Sequence, residues 1–420
     1  MEHRPEPPAR HRRPRGRAPR PGRAPLLLGP PPGGHATEVR VVRAHRPLLA
    51  PGRLRVVGRA VAAPAPHRAD VAPAPRGLVP PRDRPRAAGR RAVSPTVSVV
   101  VVTYGRPESV RECLEHLQRL DTPPLEVVVV DSTPADTTRR LVREEFPDVR
   151  LLHSTLGRGT TPESRQMGFA VTRGDVVAFV DDDAYAAPDW LDELVAPYAD
   201  PAVVAVGGRA DNGIPGEEHE GLDRIGRLLP DGRLTGSFAA DPGRVVEVDH
   251  LLGANMSFRR SALAAIGGIR GSYPGTCLCE ESDISLRLRA TGGRLVYTPR
   301  AVVRHMAAPY GIGGKRFDRR YLYYARRNHL VMLVRNFGWR DPIVRRYART
   351  TVRDQRDYLR TTARRLGPTK SDGTRRPLRK RVTAPVVLTR AVAELVGLAA
   401  GVPAAVRATR QDRADGLATP

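Results

Sequence analysis

The apolar run Val176-Val177-Ala178-Phe179-Val180 closes on three consecutive carboxylates, Asp181-Asp182-Asp183. This junction constrains the fold more than any other stretch of the chain. A short apolar run of β-branched and aromatic residues reads as a buried strand. Three adjacent carboxylates at its end repel one another and are costly to hold together without a cation. Hard divalent ions such as Mg2+ and Mn2+ suit oxygen ligands of this kind, often together with substrate phosphates. A solvated acidic turn explains the triplet equally well when it is taken alone.

The surroundings add weight to the strand reading. Order is expected to begin at Pro95, where Val97-Ser98-Val99-Val100-Val101-Val102-Thr103 gives a second buried-strand pattern punctuated by Gly105-Arg106-Pro107. Pro107 suits an early helical position, and Val110, Cys113, Leu114 and Leu117 follow at helical spacing. A strand over Leu125–Val130, a helix over about 136–146, a short strand near Val149–Leu152 and a helix over about 161–172 lead to the triplet. Alternation of this kind predicts an α/β fold, a Rossmann-like and mostly parallel sheet with helices on both faces. Ligands of such sheets lie at the carboxyl ends of the strands. Thr103-Tyr104, Asp131-Ser132 and Asp181–Asp183 all fall at those ends.

Charge divides the chain into three parts. Residues 1–92 hold 21 Arg and 5 acids (+16), residues 93–303 hold 22 Arg and 31 acids (−9), and residues 304–420 hold 27 bases and 8 acids (+19). An acidic centre between basic flanks is a poor match to a domain that grips phosphate backbones with its main face. No specific nucleic acid is therefore expected, although the flanks could touch a polyanion or an anionic membrane. Residues 1–94, rich in Arg, Pro, Ala and Gly, read as a disordered arm. Residues 95–308 read as the catalytic domain, and 309–420 as a basic helical region with helices over Tyr321–Phe337, Val344–Leu366 and Val382–Val406. Arg-rich amphipathic helices there would either lie on an anionic membrane or cover the catalytic domain with their apolar faces. Three cysteines make no disulfide framework in 420 residues. No secretory signal is visible, and Arg390 and Glu394 interrupt the longest apolar tract, so that no uninterrupted span of roughly 20 residues is expected. A cytoplasmic protein is the expectation, with the inner face of the membrane as the alternative place.

Five motifs in order resemble a family 2 glycosyltransferase with the GT-A fold. Val97 to Arg106 (VSVVVVTYGR) is similar to that family's first strand and base-holding loop. Asp131 with Ser132, Thr133 and Asp136 resembles its D-x-S motif, and Gly157–Gly168 (GRGTTPESRQMG) the stretch that ends A-R-N-x-G, with Arg165 and Gly168 in the matching places. Gly174-Asp175 and then Asp181–Asp183 resemble the G-D strand and the D-x-D metal motif. Glu280-Glu281-Ser282-Asp283-Ile284 with Arg287 is similar to the E-D-x-D-L-x-x-R segment that supplies the base. The likeness covers about residues 95–308, and Tyr323-Tyr324 to Arg327-Asn328 continue it. Three positions depart from the pattern: Gly105 stands where Asn is usual, Gln166 where Asn is common, and Glu281 where Asp fills the E-D pair.

The resemblance implies a metal-dependent, inverting transfer of a sugar from a nucleoside diphosphate to an acceptor hydroxyl. The acceptor would be a glycan, a lipid-linked molecule or a small molecule, in cell-envelope polysaccharide, glycolipid or secondary-metabolite glycosylation. The implied cofactor is Mg2+ or Mn2+, held by Asp183, Asp181 and His305. Thr103, Tyr104, Arg106, Asp131, Arg165, Asp181 and Asp182 would bind the nucleotide sugar. A base must sit within hydrogen-bond reach of the acceptor hydroxyl; Glu281 is the first candidate, Glu280 the second and Asp283 the third. An acidic first turn that complements the helix dipole explains Glu280-Glu281 almost as well. A nucleic-acid- or polyanion-binding protein acting through its basic flanks is the rival reading, and a catalytically silent sugar-nucleotide-binding module is the third.

Overall fold

The computed structural model describes residues 94–306, 318–366 and 384–417. The expected arm, 1–94, lies outside these apart from its last residue, as do residues 309–316 at the start of the expected basic region. Strands β1 (Val97–Thr103), β2 (Glu126–Asp131), β3 (Arg150–His153) and β4 (Val176–Asp181) alternate with helices α1 (Pro107–Gln118), α2 (Thr137–Glu145) and α3 (Thr161–Val171). All pairings among these four strands are parallel, in the order β3-β2-β1-β4. Alternating residues of one strand serve the two faces. Val99 and Val101 join the core that holds Trp190 and Tyr198, whereas Val100 and Val102 join the one that holds Phe179 and Phe258. Each such buried valine contributes about 1.5–3 kcal/mol.

Beyond β4 the sheet changes character. The short β5 (Ala184–Ala186) follows the triplet, then α4 (Trp190–Val195), β6 (Val203–Asp211), β7 (Val246–Glu247), β8 (Asn255–Arg259), α5 (Arg260–Ala265), α6 (Glu280–Ala290) and β9 (Arg294–His305). Eight of the nine strands run in the order β3-β2-β1-β4-β8-β6-β9-β5, with β7 paired to β9, and β8 runs antiparallel to both β4 and β6. The sheet is thus mixed: parallel over β3-β2-β1-β4 and again between β6 and β9, antiparallel where β8 and β5 enter it. Antiparallel entry of β8 leaves its start, Asn255, level with Val180 at the end of β4. Antiparallel pairing of β5 with β9 sets Ala184 opposite His305. Both registers bring chain from late in the sequence to the carboxyl end of β4.

Three helices follow: α7 (Arg319–Phe337), α8 (Pro342–Leu366) and α9 (Ala384–Ala414). They share a core with Tyr273, Cys279 and Leu286 from the α6 region. The expected helix over Val382–Val406 is present from residue 384 as part of α9, which runs for 31 residues through Arg390 and Glu394. Glu394 is absorbed by Arg326 of α7 at 2.7 Å and by Gln355 of α8 at 2.9 Å, so the charge is neutralised without breaking the helix. By length and composition alone, Leu388–Ala414 is apolar enough to cross a membrane.

Candidate active site

The parallel registers set Thr103 level with Asp131 and Val102 level with Asp181, so the three loops that leave β1, β2 and β4 meet at one edge. In the triplet, Asp181 is half-buried while Asp182 and Asp183 are buried. Asp182 Oδ2 accepts from the Thr103 hydroxyl at 2.7 Å, and its other oxygen pairs with Arg106. Burial pushes the Asp182 carboxyl up to about 7, against the pull of Arg106. Arg106 also donates to Asp183 Oδ2 at 2.9 Å, and His305 Nε2 lies 3.7 Å from Asp183 Oδ1. One ligand atom from each of Asp181, Asp183 and His305 falls within 4.8 Å of the other two. Two carboxylates and an imidazole fit a divalent ion that takes oxygen and nitrogen ligands, the imidazole favouring Mn2+ over Mg2+.

Next to the triplet lies a small open cleft, walled by Thr103, Tyr104 and Arg106 on one side and by Ser132, Thr160 and Ser164 on the other. A chain of hydrogen bonds holds its walls: Gly105 N donates to Thr133 Oγ1 at 2.6 Å, and the hydroxyls of Ser132 and Ser164 lie 2.8 Å apart. Asp131, expected to meet the nucleotide, is fully buried beneath this wall. Its two oxygens accept from Thr133 N and from Arg139 Nη1, each at 2.8 Å. It therefore braces the loop. Thr103 likewise spends its hydroxyl on Asp182, and what it offers the cleft is its place in the wall. Ser132 belongs to the D-x-S resemblance and Thr160 and Ser164 to the Gly157–Gly168 stretch, and Thr161-Pro162 at the start of α3 places that helix's first turn beside the cleft.

Arg165 has a different place from the nucleotide contact expected of it. It is buried, with Nη2 donating to Asp181 Oδ1 at 2.7 Å and to Gly253 O at 2.8 Å, while Nη1 pairs with Glu280 Oε1. Its guanidinium also lies over the Phe179 ring, 5.9 Å from the centroid. A single guanidinium thus joins the β4 end to the first turn of α6. Glu280 is buried, and its Oε2 has no hydrogen-bond partner among the described residues.

Glu281 follows on α6, half-buried. Burial raises its carboxyl to about 7, with Asp181 pushing the same way and Arg165 pulling it down. Asp283, the third candidate base, is turned to other work. It is fully buried, its Oδ2 accepts from Arg287 Nε at 3.0 Å and its Oδ1 from Asn336 Nδ2 at 2.9 Å. Burial favours its neutral form, but Arg287, Arg335 and Arg270 outweigh that and hold it below the usual range. With both oxygens bound to these partners, Asp283 fastens α6 to α7 and is withdrawn as a base.

A family model described as glycosyl transferase family 2 matches residues 98–267. That stretch holds Thr103, Asp131, Arg165 and Asp181–Asp183 and ends before α6. Glucosyl-dolichyl phosphate glucuronosyltransferase of Haloferax volcanii is 33% identical over 230 residues, covering 51% of this chain and 70% of the relative. Pre-mycofactocin glycosyltransferase of Mycobacterium tuberculosis is 28% identical over 290 residues, covering 65% of this chain and 54% of that protein. Among solved structures, a mannosyltransferase of Pyrobaculum calidifontis in complex with GDP-mannose and Mn2+ is 22% identical, with a TM-score of 0.42 over 77% of this chain and 76% of that one.

Proposed function

The chain belongs to the family 2 glycosyltransferases, and from that premise we propose that it moves a sugar from a nucleoside diphosphate to an acceptor hydroxyl, with a divalent ion at the Asp181–Asp183 turn and with inversion at the anomeric carbon. The Arg165 bridge carries this reading: one buried cation ties the candidate metal ligands to the helix that bears Glu281. Charge neutralisation for a leaving diphosphate and proton removal from an acceptor are thereby built within one network.

The nucleotide enters the cleft beside Tyr104, against the wall that Asp131 braces from below. Asp181, Asp183 and His305 would hold the ion, which would supply positive charge against the leaving diphosphate. Arg106, with 39% of its side chain exposed, is placed to turn from the carboxylates to a phosphate oxygen. Glu281 takes the proton from the acceptor hydroxyl as that oxygen attacks. A carboxylate with a pKa near the working pH is matched to this task, being ionised in a useful fraction and still basic. Glu280, fixed by Arg165, holds the first turn of α6 in register. A base across the sugar from the leaving group gives in-line attack and inversion. A cytoplasmic site of action, where nucleotide sugars are the donors, accompanies the proposal.

The direct test is hydrolysis and transfer with UDP-, dTDP- and GDP-sugars, in Mn2+, in Mg2+ and in EDTA. Metal-stimulated turnover of at least one donor is expected. Equal turnover in EDTA would remove the metal from the proposal, and no binding or turnover of any donor would sink it.

A further inference from the structure

The inner face of α9 is committed to the protein. Gly397 and Gly401 press on α7, where a Cβ at 397 would stand 2.3 Å from the Tyr323 carbonyl oxygen and one at 401 would stand 3.0 Å from Leu330 Cβ. Ala404, Ala405 and Ala408 are buried on the same contact. Buried Asp412 accepts from Arg335 Nε at 2.8 Å and lies 3.3 Å from Arg270, and Glu394 is held by Arg326 and Gln355. These polar contacts fix the rotation of the helix about its axis.

The outer face is apolar and bare. Val392, Val396 and Val402 are 54%, 52% and 46% exposed, and Ala399 and Pro403 beside them are exposed too. Positions 392, 396, 399 and 403 follow one another at helical spacing and so form a single stripe. Continued along the same line, the stripe runs into exposed Arg407 and Arg410. Helix α8, packed beside α9, adds exposed Arg345, Arg346, Arg349, Arg353 and Arg356. An apolar strip that ends in arginines, within a segment of net charge +19 over residues 304–420, complements one kind of surface. Hydrocarbon at its edge receives the valines, and phosphate headgroups receive the guanidinium groups on their long stems.

We propose that the Val392–Pro403 face of α9 lies flat on an anionic lipid bilayer, in the plane of the headgroups. Spanning is disfavoured by the inner face, because Glu394 and Asp412 would have to leave their arginine partners or drag them into hydrocarbon. The lipid surface is identified here by charge and shape alone, without reference to donor or acceptor.

The test is co-sedimentation of the full chain with vesicles of phosphatidylcholine alone and of phosphatidylcholine mixed with phosphatidylglycerol, at low and high salt. Binding to the anionic vesicles that weakens with salt is expected. The double change Val392→Asp and Val396→Asp should lower the bound fraction about tenfold or more without moving the melting temperature, as both side chains face solvent. Arg407→Gln with Arg410→Gln should weaken binding several-fold while leaving the apolar strip intact. In a separate variant, Val396→Trp, the added indole emission should shift to the blue on anionic vesicles. Full-chain protein that stays in the supernatant, valine variants that bind as before, or an indole that does not shift would each overturn the proposal. So would a dimer in sedimentation velocity that the aspartate variants dissociate, because a second copy would then be the occupant.

Discussion

In the Asp181–Asp183 turn every carboxylate has a cationic side chain or an imidazole close by: Arg165 for Asp181, Arg106 for Asp182, and Arg106 with His305 for Asp183. In the first turn of α6 the pattern is uneven. Glu280 takes the other arm of Arg165, while Glu281 beside it makes no ion pair among the described residues and is pushed up to about 7. Similar residue types therefore serve opposite ends. A turn that already gathers positive charge is suited to receive more of it as a metal ion, with Arg106 moving aside. A carboxyl denied a cation is suited to hold and release a proton near neutrality. Asp283, two residues further on, shows what the same helix does to a carboxyl it ties down: Arg287 and its neighbours hold it ionised.

This contrast can be broken at four points. Asp183→Ala should have the largest effect, lowering kcat/KM by about 10²–10³-fold, the scale of losing one preorganised charge-stabilising group. Titration calorimetry with Mn2+ and donor should show the metal term gone; wild-type metal affinity would refute the assignment of the turn. Glu281→Gln should cut kcat by about 10²-fold, the lower end of what a general base contributes, while donor binding stays unchanged. Normal transfer by this variant would move the base elsewhere.

Asp283→Asn should act on stability instead, costing about 3–5 kcal/mol because Arg287 is left buried without its counter-charge. Urea unfolding measures the loss, and kcat per folded molecule should hold near the wild-type value. A catalytic collapse in protein shown to be folded would restore Asp283 as a base candidate. The smallest effect is in pH. A base that titrates at about 7 gives a kcat that falls as pH drops below that value. The same raised pKa means that the unfolded chain releases the Glu281 proton near the ordinary Glu value, whereas the folded chain keeps it up to about 7. Folding is therefore progressively disfavoured as pH rises through that window. The melting temperature of Glu281→Gln should gain on wild type over the same interval and level off above it. A pH-independent difference would mean that Glu281 ionises normally.

Much of the first half of the fold was legible in the chain because β1, β2 and β4 are mostly buried and read as valine-rich runs. The β1, α1, β2 and α3 bounds fall within a residue or two of the apolar pattern. The reversal at β8 was not legible, since Asn255–Arg259 looks the same whichever way it enters the sheet, and only its pairing with β4 and β6 decides. The fate of Glu394 was hidden for a similar reason: it interrupts the apolar tract of α9, and only the arrival of Arg326 and Gln355 from two other helices shows how its charge is met. In the site, the acidic triplet announced itself by the cost of its own repulsion. The partners of Arg165, Asp131 and Asp283 did not, because each is set by contacts between elements that no local spacing encodes.

Arg165 also limits which of its neighbours can change. Its guanidinium meets Asp181, Glu280 and the Gly253 carbonyl at once, and a Cβ on residue 253 would stand 3.1 Å from Nη1. A lysine would keep the charge but lack the planar fork that reaches several acceptors together. Residues 165, 181, 253 and 280 thus behave as one heritable unit, in which a substitution at any position calls for a matching one at another. A search for altered donor preference has more freedom in the cleft wall at Tyr104, where no such shared bond has to be rebuilt.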